Sequence, residues 1–463
     1  MPFIDGVPVE VTVVASAVWR RTNMDLPSRG FVDPGWIDPG DIEAFQKAGW
    51  EFHTGPAEWH HAEDGVANSY ESGVLIRDEG LGHLILSDHI AIHTRNASIS
   101  DTMIKADILF DGQRRLNLEK AVFDVRLKPV GNDILAAVTT AIQKLRGQEV
   151  YAEPIVIYHL LNSASISAPT GSLEPQWTTI HLQEAFRGVR KQGDGIYPAV
   201  IDLGFKMHSS LSVEWQAAFD RNGIRTSPPS GTDHGTACAA LIAAGSNRLG
   251  LTGAAPNAKL ILVSVETVTP ETALVEALKL CAAGEMNRVP ADVICCSLGP
   301  QNRGILRSQT LETALNEAGK GRSRKGTLVV WADIEQSLDI PATSVEGYDP
   351  VLCVGGSLSI DAVAAAPCGF GIGLDLLAPV SADVLVVLNQ SDSVVQRMTG
   401  TSVAAPQAAG VAALLLSNDS SLTAAKLTNY LRESCDRPGD ASATHRNDIG
   451  FGRLNALKAV NKL

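Results

Sequence analysis

From about residue 179 onward, short apolar runs rich in β-branched residues alternate with stretches whose apolar positions follow a helical period. The apolar runs read YPAVIDLGF, KLILVSVET, ADVICCSLG, GTLVVWAD and DPVLCVGGS. The helical stretches between them include GTACAALIAAG, ETALVEALKLCAAG and SQTLETALNEAGK. Buried strands that alternate with helices predict a mostly parallel sheet covered by helices on both faces. We therefore predict an α/β domain over residues 179–463.

A different pattern precedes it. Between residues 81 and 160, alternating strand-like segments and helically spaced segments follow the order strand, helix, strand, helix, strand. This order predicts a small α+β domain with one helical layer on one sheet. Residues 161–178 are rich in Ser, Ala, Pro and Gly, which is typical of an exposed linker that is easily cut. Residues 1–80 contain no catalytic motif and form an extension of unknown role.

Composition limits the kind of molecule. The chain has 463 residues, with 45% hydrophobic and 19% charged residues, which predicts two or three folded domains. Its net charge of -13 argues against broad nucleic-acid binding, because such binding needs a basic face. The first residues lack the pattern of a secretory signal, and no apolar run approaches the ~20 residues of a membrane span. We expect a cytoplasmic protein without a membrane partner.

The seven cysteines are scattered, and none forms a CxxC pair. Their number is odd, and most have apolar or small neighbours in the sequence. These features disfavour a disulfide framework or a zinc site. We predict buried, reduced thiols.

Three segments carry candidate chemistry. Asp202 ends an apolar strand, His234 begins a helix of small residues, and Ser402 begins another such helix. Acyl transfer needs a nucleophile, a base that takes its proton, and a carboxylate that fixes the tautomer of the base. Each residue alone has a structural alternative, such as a turn, a buried histidine or a helix N-cap. Together, in the order Asp, His, Ser, they predict a catalytic triad.

The flanking residues resemble those of the subtilases, the subtilisin-like serine proteases of peptidase family S8. The matching segments are VIDLG at 200–204, HGTACA at 234–239, GLTGAAPNAKL at 250–260, SLG at 297–299, GTSVAAP at 400–406 and GFGRLNALKAV at 450–460. The resemblance implies a subtilisin-like three-layer α/β fold and a serine endopeptidase that acts on proteins or peptides and needs no cofactor. It places Asp202, His234 and Ser402 in the triad. It also places Ser297, Leu298 and Gly299 along the substrate cleft.

One departure and one further likeness to the family bear on the site. The family uses an Asn side chain to bind the oxyanion, whereas LVVWAD places Asp333 at or near that position. A protonated Asp333 could donate the hydrogen bond, and Asn302 or Gln336 are the alternatives. The loop GSNRLGL has the length of a family calcium loop, so a structural calcium held by Asn247 is expected, with a plain turn as the equal alternative.

Residues 81–160 resemble the family's prodomain. The resemblance implies that this N-terminal domain is an intramolecular inhibitor whose tail, residues 161–178, crosses the active site and is cut by the enzyme itself. A permanent accessory domain is the alternative. The cleft segments lack a ring of carboxylates, which favours a small or apolar residue in the first pocket.

Three other functions compete with a protease. The altered oxyanion position is consistent with a peptide-binding pseudoenzyme, and the same triad could join or cyclise peptides. A nucleotide-binding protein is disfavoured, because no Gly-rich phosphate loop follows the first strand of the α/β domain.

Overall fold

The structure is a computed structural model. It describes residues 3–4, 7–8, 12–20, 50–53, 70–78, 82–94, 98–116, 121–128, 133–161, 166–167, 175–220, 225–226, 232–245, 251–284, 288–300, 304–357, 368–380, 385–387, 395–437 and 444–463.

The N-terminal region is mainly antiparallel β-structure. Its elements are β1 (Phe3–Ile4), β2 (Val7–Pro8), β3 (Thr12–Arg20), β4 (Trp50–His53), β5 (Tyr70–Asp78), β6 (Gly82–His93), α1 (Ile99–Lys105), β7 (Phe110–Arg115), β8 (Val122–Leu127), α2 (Ile134–Arg146), β9 (Tyr151–Leu161) and β10 (Ile166–Ser167).

The rest of the chain alternates strands and helices. Its elements are α3 (Pro175–Thr179), α4 (Leu182–Gly188), β11 (Pro198–Asp202), β12 (Val213–Phe219), β13 (Arg225–Thr226), α5 (Asp233–Ala243), β14 (Leu260–Ser264), β15 (Val268–Pro270), α6 (Glu271–Ala283), β16 (Val293–Cys296), β17 (Gly299–Pro300), α7 (Gln309–Ala318), α8 (Gly321–Arg324), β18 (Leu328–Ala332), β19 (Val351–Ser357), β20 (Leu376–Pro379), β21 (Leu385–Val387), β22 (Val395–Met398), a 3₁₀ turn (Thr401–Val403), α9 (Ala404–Asn418), α10 (Ala424–Glu433) and α11 (Ala456–Val460).

The predicted parallel sheet is confirmed. Its strand order is β13-β12-β14-β11-β16-β18-β19-β20, and every neighbouring pair is parallel except β12 with β13. Successive side chains of a strand point to opposite faces. Along β11, Ala199 and Ile201 therefore join the core beneath α6 and α7, whereas Val200 joins the core beneath α5 and α9. Both faces of the sheet are covered by helices.

The N-terminal α+β unit also matches its predicted order, with β7 as an additional strand. β9 pairs with β6, β6 with β8 and β8 with β7, and all these pairs are antiparallel. Asp133 caps the start of α2, as its carboxylate accepts a hydrogen bond from the Ala136 N–H. The same sheet continues through β5, β3 and β4, so it crosses residue 80, where the sequence placed the start of the domain.

One strand belongs to both parts of the molecule. The first half of β9 pairs with β6, while its last residues pair with β15 on one side and β17 on the other. The buried core is also continuous, since Ile155 and Tyr158 of β9 lie in the same apolar cluster as Leu278 and Leu311 of the helices α6 and α7. The N-terminal sheet therefore packs on α6 and α7.

All seven cysteines are buried and form no disulfide, as predicted. Among the described residues, no helix combines the length and apolar character needed to cross a bilayer.

Candidate active site

The centre of the parallel sheet supplies the first candidate residue. Asp202 ends β11, between β14 and β16, and is fully buried. One carboxylate oxygen accepts a hydrogen bond from the Leu203 N–H at 2.7 Å. The other lies 2.8 Å from Nδ1 of His234. This arrangement fixes the imidazole with its Nδ1 proton toward the carboxylate and Nε2 turned away from it.

His234 stands in the first turn of α5, whose N-cap is Thr232. Burial opposes the charged imidazolium, but the Asp202 carboxylate outweighs this and raises the pKa of His234 well above its usual value. Nε2 of His234 is buried and has no hydrogen-bond partner. The histidine thus has one nitrogen anchored and one nitrogen available to accept a proton.

Small residues let the backbone approach the site. A Cβ atom on Gly235 would stand 2.3 Å from the Gly204 carbonyl oxygen and 3.0 Å from Cβ of Asp202. Where α9 crosses α5, a Cβ atom on Gly410 would lie 3.3 Å from backbone atoms of Ile242. These glycines allow the strand end and the two helices to pack closely.

Ser402 lies in the 3₁₀ turn Thr401–Val403, which leads into α9 and is called the nucleophile turn below. Its hydroxyl donates a hydrogen bond to the Ser297 carbonyl oxygen at 3.3 Å. Its own carbonyl accepts a hydrogen bond from the Cys238 thiol at 3.4 Å, and that sulfur lies 3.9 Å from Nδ1 of His234. Cys238 therefore contacts both the His234 imidazole and the backbone of Ser402, whereas the Ser402 hydroxyl is hydrogen-bonded to Ser297 and not to Nε2 of His234.

Asp202, His234 and Cys238 also form the one group of His, Cys, Asp and Glu side chains that could hold a metal ion among the described residues. The hydrogen bond between Asp202 and His234 is the pairing of acid and base that a triad needs.

A pocket opens beside Ser402. Ser297, Leu298, Gly299 and Pro300 line one side, and Ala332 to Glu335, Glu346 and Thr401 line the rest. The predicted cleft residues Ser297, Leu298 and Gly299 thus lie next to the candidate nucleophile. Their roles in binding substrate remain predictions.

Asp333, the predicted oxyanion residue, lies in this pocket with its carboxyl group engaged elsewhere. One oxygen accepts a hydrogen bond from the Ile334 N–H at 2.7 Å, and the other accepts one from the Cys368 thiol at 3.0 Å. Burial raises the pKa of Asp333 to about 7. Neither contact links the Asp333 carboxyl group to Ser402. Its role at the oxyanion stays a prediction.

The sequence reading missed two carboxyl groups in the pocket. Glu335 contacts the nucleophile turn, since its Oε1 accepts a hydrogen bond from the Thr401 N–H at 2.7 Å. Glu346 is buried and accepts a hydrogen bond from the Ile305 N–H, and burial raises its pKa to about 7. Neither residue gave a local signal in the sequence.

The remaining candidates are placed as follows. Asn247 and Asn302 lie outside the described residues. Gln336 is half-buried, one residue beyond Glu335, and does not line the pocket. The calcium site and the alternative oxyanion residues stay predictions.

Comparison with known proteins places this site in a family. The model of the subtilase family, peptidase S8, matches residues 193–452. Subtilisin BL of Lederbergia lenta is 31% identical over 272 residues, which cover 58% of this chain and 91% of that protein. An alkaline protease of Alkalihalobacillus alcalophilus is 30% identical over 274 residues, but the chain spans only 65% of its length.

Solved structures show the same fold. The crystal structure of fervidolysin from Fervidobacterium pennivorans, a keratinolytic enzyme related to subtilisin, superposes with a TM-score of 0.64 at 18% identity. The superposition covers 87% of this chain and 62% of that chain. It therefore extends beyond the region matched by the family model into the N-terminal part.

Two further relatives are named calcium-dependent proteases, and each is 29% identical over 315 residues that cover 58% of this chain. The match of the family model over more than half of the chain, together with the predicted residues at the site, shows that this chain belongs to the subtilase family.

Proposed function

We propose that the chain is a serine endopeptidase made as a self-inhibited precursor. The observation that carries this proposal is the convergence of Asp202, His234 and Ser402 beside a cleft that already holds a strand of the same chain. Membership of the subtilase family supports the reaction. Proteins or peptides are the substrates.

The geometry supports a stepwise reaction. Nε2 of His234 takes the proton of the Ser402 hydroxyl as Oγ attacks the carbonyl carbon of the scissile peptide bond. The imidazolium, held by Asp202, then gives this proton to the departing amine, which leaves an acyl group on Oγ. Water attacks the acyl carbon, His234 takes a proton from it, and Ser402 regains a proton as the carboxylic acid product forms. Each cycle consumes one water and leaves the protein unchanged.

The tail of the N-terminal domain occupies the substrate position in this proposal. In β9, Leu161 pairs with Gly299 and Leu160 with Pro300 in antiparallel register. The Leu160 N–H also donates to the Thr267 carbonyl at 2.7 Å on the other side. A peptide strand held between two strands of the cleft is the way a protease binds an extended substrate.

The register also suggests where the chain cuts itself. Leu161 of β9 pairs with Gly299. Ile166 of β10 pairs with Met398, which lies just before the turn that carries Ser402. Residues 162–165, with the sequence Asn-Ser-Ala-Ser, connect these two anchored segments. Ser297, two residues before Gly299, binds the Ser402 hydroxyl through its carbonyl oxygen. We expect cleavage within residues 162–165.

The second candidate function is a peptide-binding protein that does not cut, and the carboxyl groups of the pocket favour it. Family members use an amide side chain at the oxyanion, whereas Asp333 and Glu335 line this pocket. An ionised carboxylate cannot donate a hydrogen bond and repels the oxyanion.

Labelling by a fluorophosphonate separates the two functions. The wild-type chain should be labelled at Ser402, and Ser402→Ala should not. A matched control, Ser420→Ala, changes an exposed serine and should be labelled like the wild type. A wild-type chain that stays unlabelled at every pH between 5 and 9 would contradict the endopeptidase and favour the binding protein.

A further inference from the structure

The pocket beside Ser402 is very small. Its volume is about 20 Å³, and residues 297–300 and 332–335 form two of its walls. A cavity of about 10–15 Å³ holds one water molecule, so this space takes about one or two non-hydrogen atoms. Ser402 itself lines the pocket, so the residue whose carbonyl carbon is attacked by Oγ places its side chain at the mouth of this space.

The wall formed by residues 297–300 is fixed from behind. The Trp331 indole N–H donates a hydrogen bond to the Leu298 carbonyl oxygen at 3.0 Å, and both residues are buried. Protein interiors are close-packed, so an enclosed indole yields little when a larger group presses on it. This wall therefore does not move back to admit a larger side chain.

The opposite wall is fixed by the carboxyl group of Asp333. Its two oxygens accept hydrogen bonds from the Ile334 N–H and the Cys368 thiol. A Cβ atom on Gly369 would stand 2.3 Å from Oδ1 of Asp333, so this carboxyl group is packed against the segment that contains residues 368 and 369. Both walls are thus held by contacts within the protein.

Glu346 closes the pocket from a third direction. It is buried, and its two carboxyl oxygens lie 3.2 and 3.1 Å from the Ile305 N–H, from which they accept a hydrogen bond. A Cβ atom on Gly304 would stand 2.6 Å from Oε2, so the carboxyl group lies directly on this backbone. The same backbone pairs with the segment that carries Glu346, since the Val345 N–H donates to the Ile305 carbonyl oxygen at 2.7 Å. Glu346 is therefore held in place by the pairing of these two segments.

We propose that Glu346 sets the specificity of the protease by filling the pocket for the residue before the scissile bond, so that only glycine, alanine and serine are accepted there. This inference rests on the proposed endopeptidase function. No bond to Glu346 forms or breaks in the reaction. The linker agrees with this size limit, because residues 162–165, where we expect self-cleavage, read Asn-Ser-Ala-Ser.

Charge alone would favour a different substrate. The sequence predicted no ring of carboxylates at this pocket, but the structure brings Asp333, Glu335 and Glu346 to it, and none of the described residues that line it is Lys, Arg or His. Burial raises the pKa of Asp333 and of Glu346 to about 7, which weakens their attraction for a cation at neutral pH. A lysine or arginine side chain is also far larger than the free space. Size therefore decides against a basic side chain.

The test uses peptide p-nitroanilides of the form acetyl-Ala-Ala-X, in which X precedes the bond that is cut and is Ala, Leu, Phe or Lys. For the wild-type protein, kcat/KM with Ala at X should exceed kcat/KM with Leu, Phe or Lys by about a hundredfold or more. The larger side chains meet Glu346 and the two fixed walls before the carbonyl carbon reaches Oγ.

Variants at Glu346 identify the residue that sets the limit. Glu346→Ala enlarges the pocket, so the ratio of kcat/KM with Leu to kcat/KM with Ala should rise at least tenfold. Glu346→Gln keeps the size and removes the charge, so it should keep the wild-type ratio. Glu433→Ala removes an exposed glutamate that is paired with Lys462, and as the matched control it should also keep this ratio.

The outcomes separate this inference from the proposed function. If Ser402 is labelled by a fluorophosphonate but Leu, Phe or Lys is accepted as well as Ala, or no anilide is cut, the size limit is overturned alone. A ratio that stays unchanged in Glu346→Ala, or that rises equally in Glu346→Gln, overturns the role of Glu346. Absence of both labelling and turnover overturns both proposals.

If Glu346→Ala fails to fold because the buried Ile305 N–H loses its partner, the wild-type protein still decides. Peptide aldehydes form a hemiacetal with Ser402 and place their last side chain at the same pocket. The aldehyde that ends in alanine should inhibit at least tenfold more tightly than the one that ends in leucine. Equal inhibition, or tighter inhibition by the leucine aldehyde, overturns the proposal.

Discussion

The two sheets of this molecule reach the same cleft in different ways. The parallel sheet contributes side chains at its strand ends, such as Asp202 at the end of β11 and Asp333 after β18. The N-terminal sheet contributes backbone, because the end of β9 pairs with β15 and β17. In the proposed precursor, chemistry depends on a few residues of one sheet, whereas inhibition depends on the pairing and docking of the other. Substitutions in the two regions should have separable effects.

The largest effect is expected for Asp202→Asn. An amide at this position cannot hold the Nδ1 proton of His234 as the carboxylate does, so the imidazole loses its correct tautomer. We expect kcat for the peptide of residues 157–170 to fall about 10⁴-fold.

The matched control is Asp448→Asn, which changes an exposed aspartate paired with Arg446. It should keep wild-type activity. A kcat for Asp202→Asn within tenfold of the wild type would remove Asp202 from the triad.

The next effect concerns docking of the N-terminal sheet. Glu153 of β9 is buried, and its carboxylate accepts hydrogen bonds from the Gln309 and Thr310 N–H groups at the start of α7. Glu153→Ala leaves these buried donors unpaired, which costs about 1–3 kcal/mol. We expect the cleaved N-terminal piece to bind roughly 10–100-fold more weakly, measured as increased peptide hydrolysis by the processed protein.

Glu149→Ala is the control for this docking contact, because Glu149 is exposed and lies near the start of the same strand. It should leave inhibition unchanged. Equal inhibition in Glu153→Ala and in the wild type would show that the cap on α7 does not hold the two parts together.

Packing of the catalytic helices gives a smaller effect. A methyl group at Gly410 would stand 2.7 Å from Cβ of Ala254, whereas a Cβ atom at Gly112 in β7 meets nothing within 4 Å. Overpacking of a core costs about 1–3 kcal/mol. In a Ser402→Ala background, Gly410→Ala should lower the melting temperature by several degrees and Gly112→Ala should leave it nearly unchanged. The reverse order would refute the close crossing of α5 and α9.

The smallest predicted effect is a pH dependence of docking. Glu271, at the start of α6, is fully buried, and burial together with Glu153 raises its pKa well above the usual value. The docked form keeps a proton that an exposed Glu271 releases above about pH 4.5. This contribution to docking is complete below that pH and is lost as the pH rises.

Burial works against ionisation of Glu153, but hydrogen bonds from His93 and Thr310 outweigh it and lower the pKa of Glu153. Glu153 therefore weakens docking only below about pH 4.5. Between pH 5 and pH 7 we expect a threefold to tenfold loss of affinity, below the roughly hundredfold limit that about 1.4 kcal/mol per pH unit sets over two pH units. Co-elution of the two pieces on a sizing column measures this affinity. Glu271→Gln should flatten the dependence of the affinity on pH, and an unchanged slope would contradict the role of Glu271.

Much of this architecture could be predicted from local patterns. The runs that became β11, β14, β16, β18 and β19 are apolar on both faces, because both faces of the parallel sheet are buried. By contrast, β12 reads VEWQAAF, whose exposed Glu214 and Gln216 interrupt the apolar pattern, and it was not predicted.

The other parts of the architecture could not be predicted, because they depend on pairing between segments that are distant in the sequence. Nothing local in HLLNSAS indicates that Leu161 pairs with Gly299, since this contact depends on the register of two distant segments. The triad was predictable because each residue carries its own flanking motif. Glu335 was not, because its position beside Thr401 depends on how the chain turns after β18.

In the proposed function, Ser402 acts with His234 and Asp202 to cut the chain between its two parts. The most direct test is the intact mass of freshly purified wild type beside Ser402→Ala, followed over time. The wild type should separate into two pieces with a boundary within residues 162–165, and the variant should stay whole. A wild-type chain that stays whole, or a variant that is cut at the same place, would contradict it.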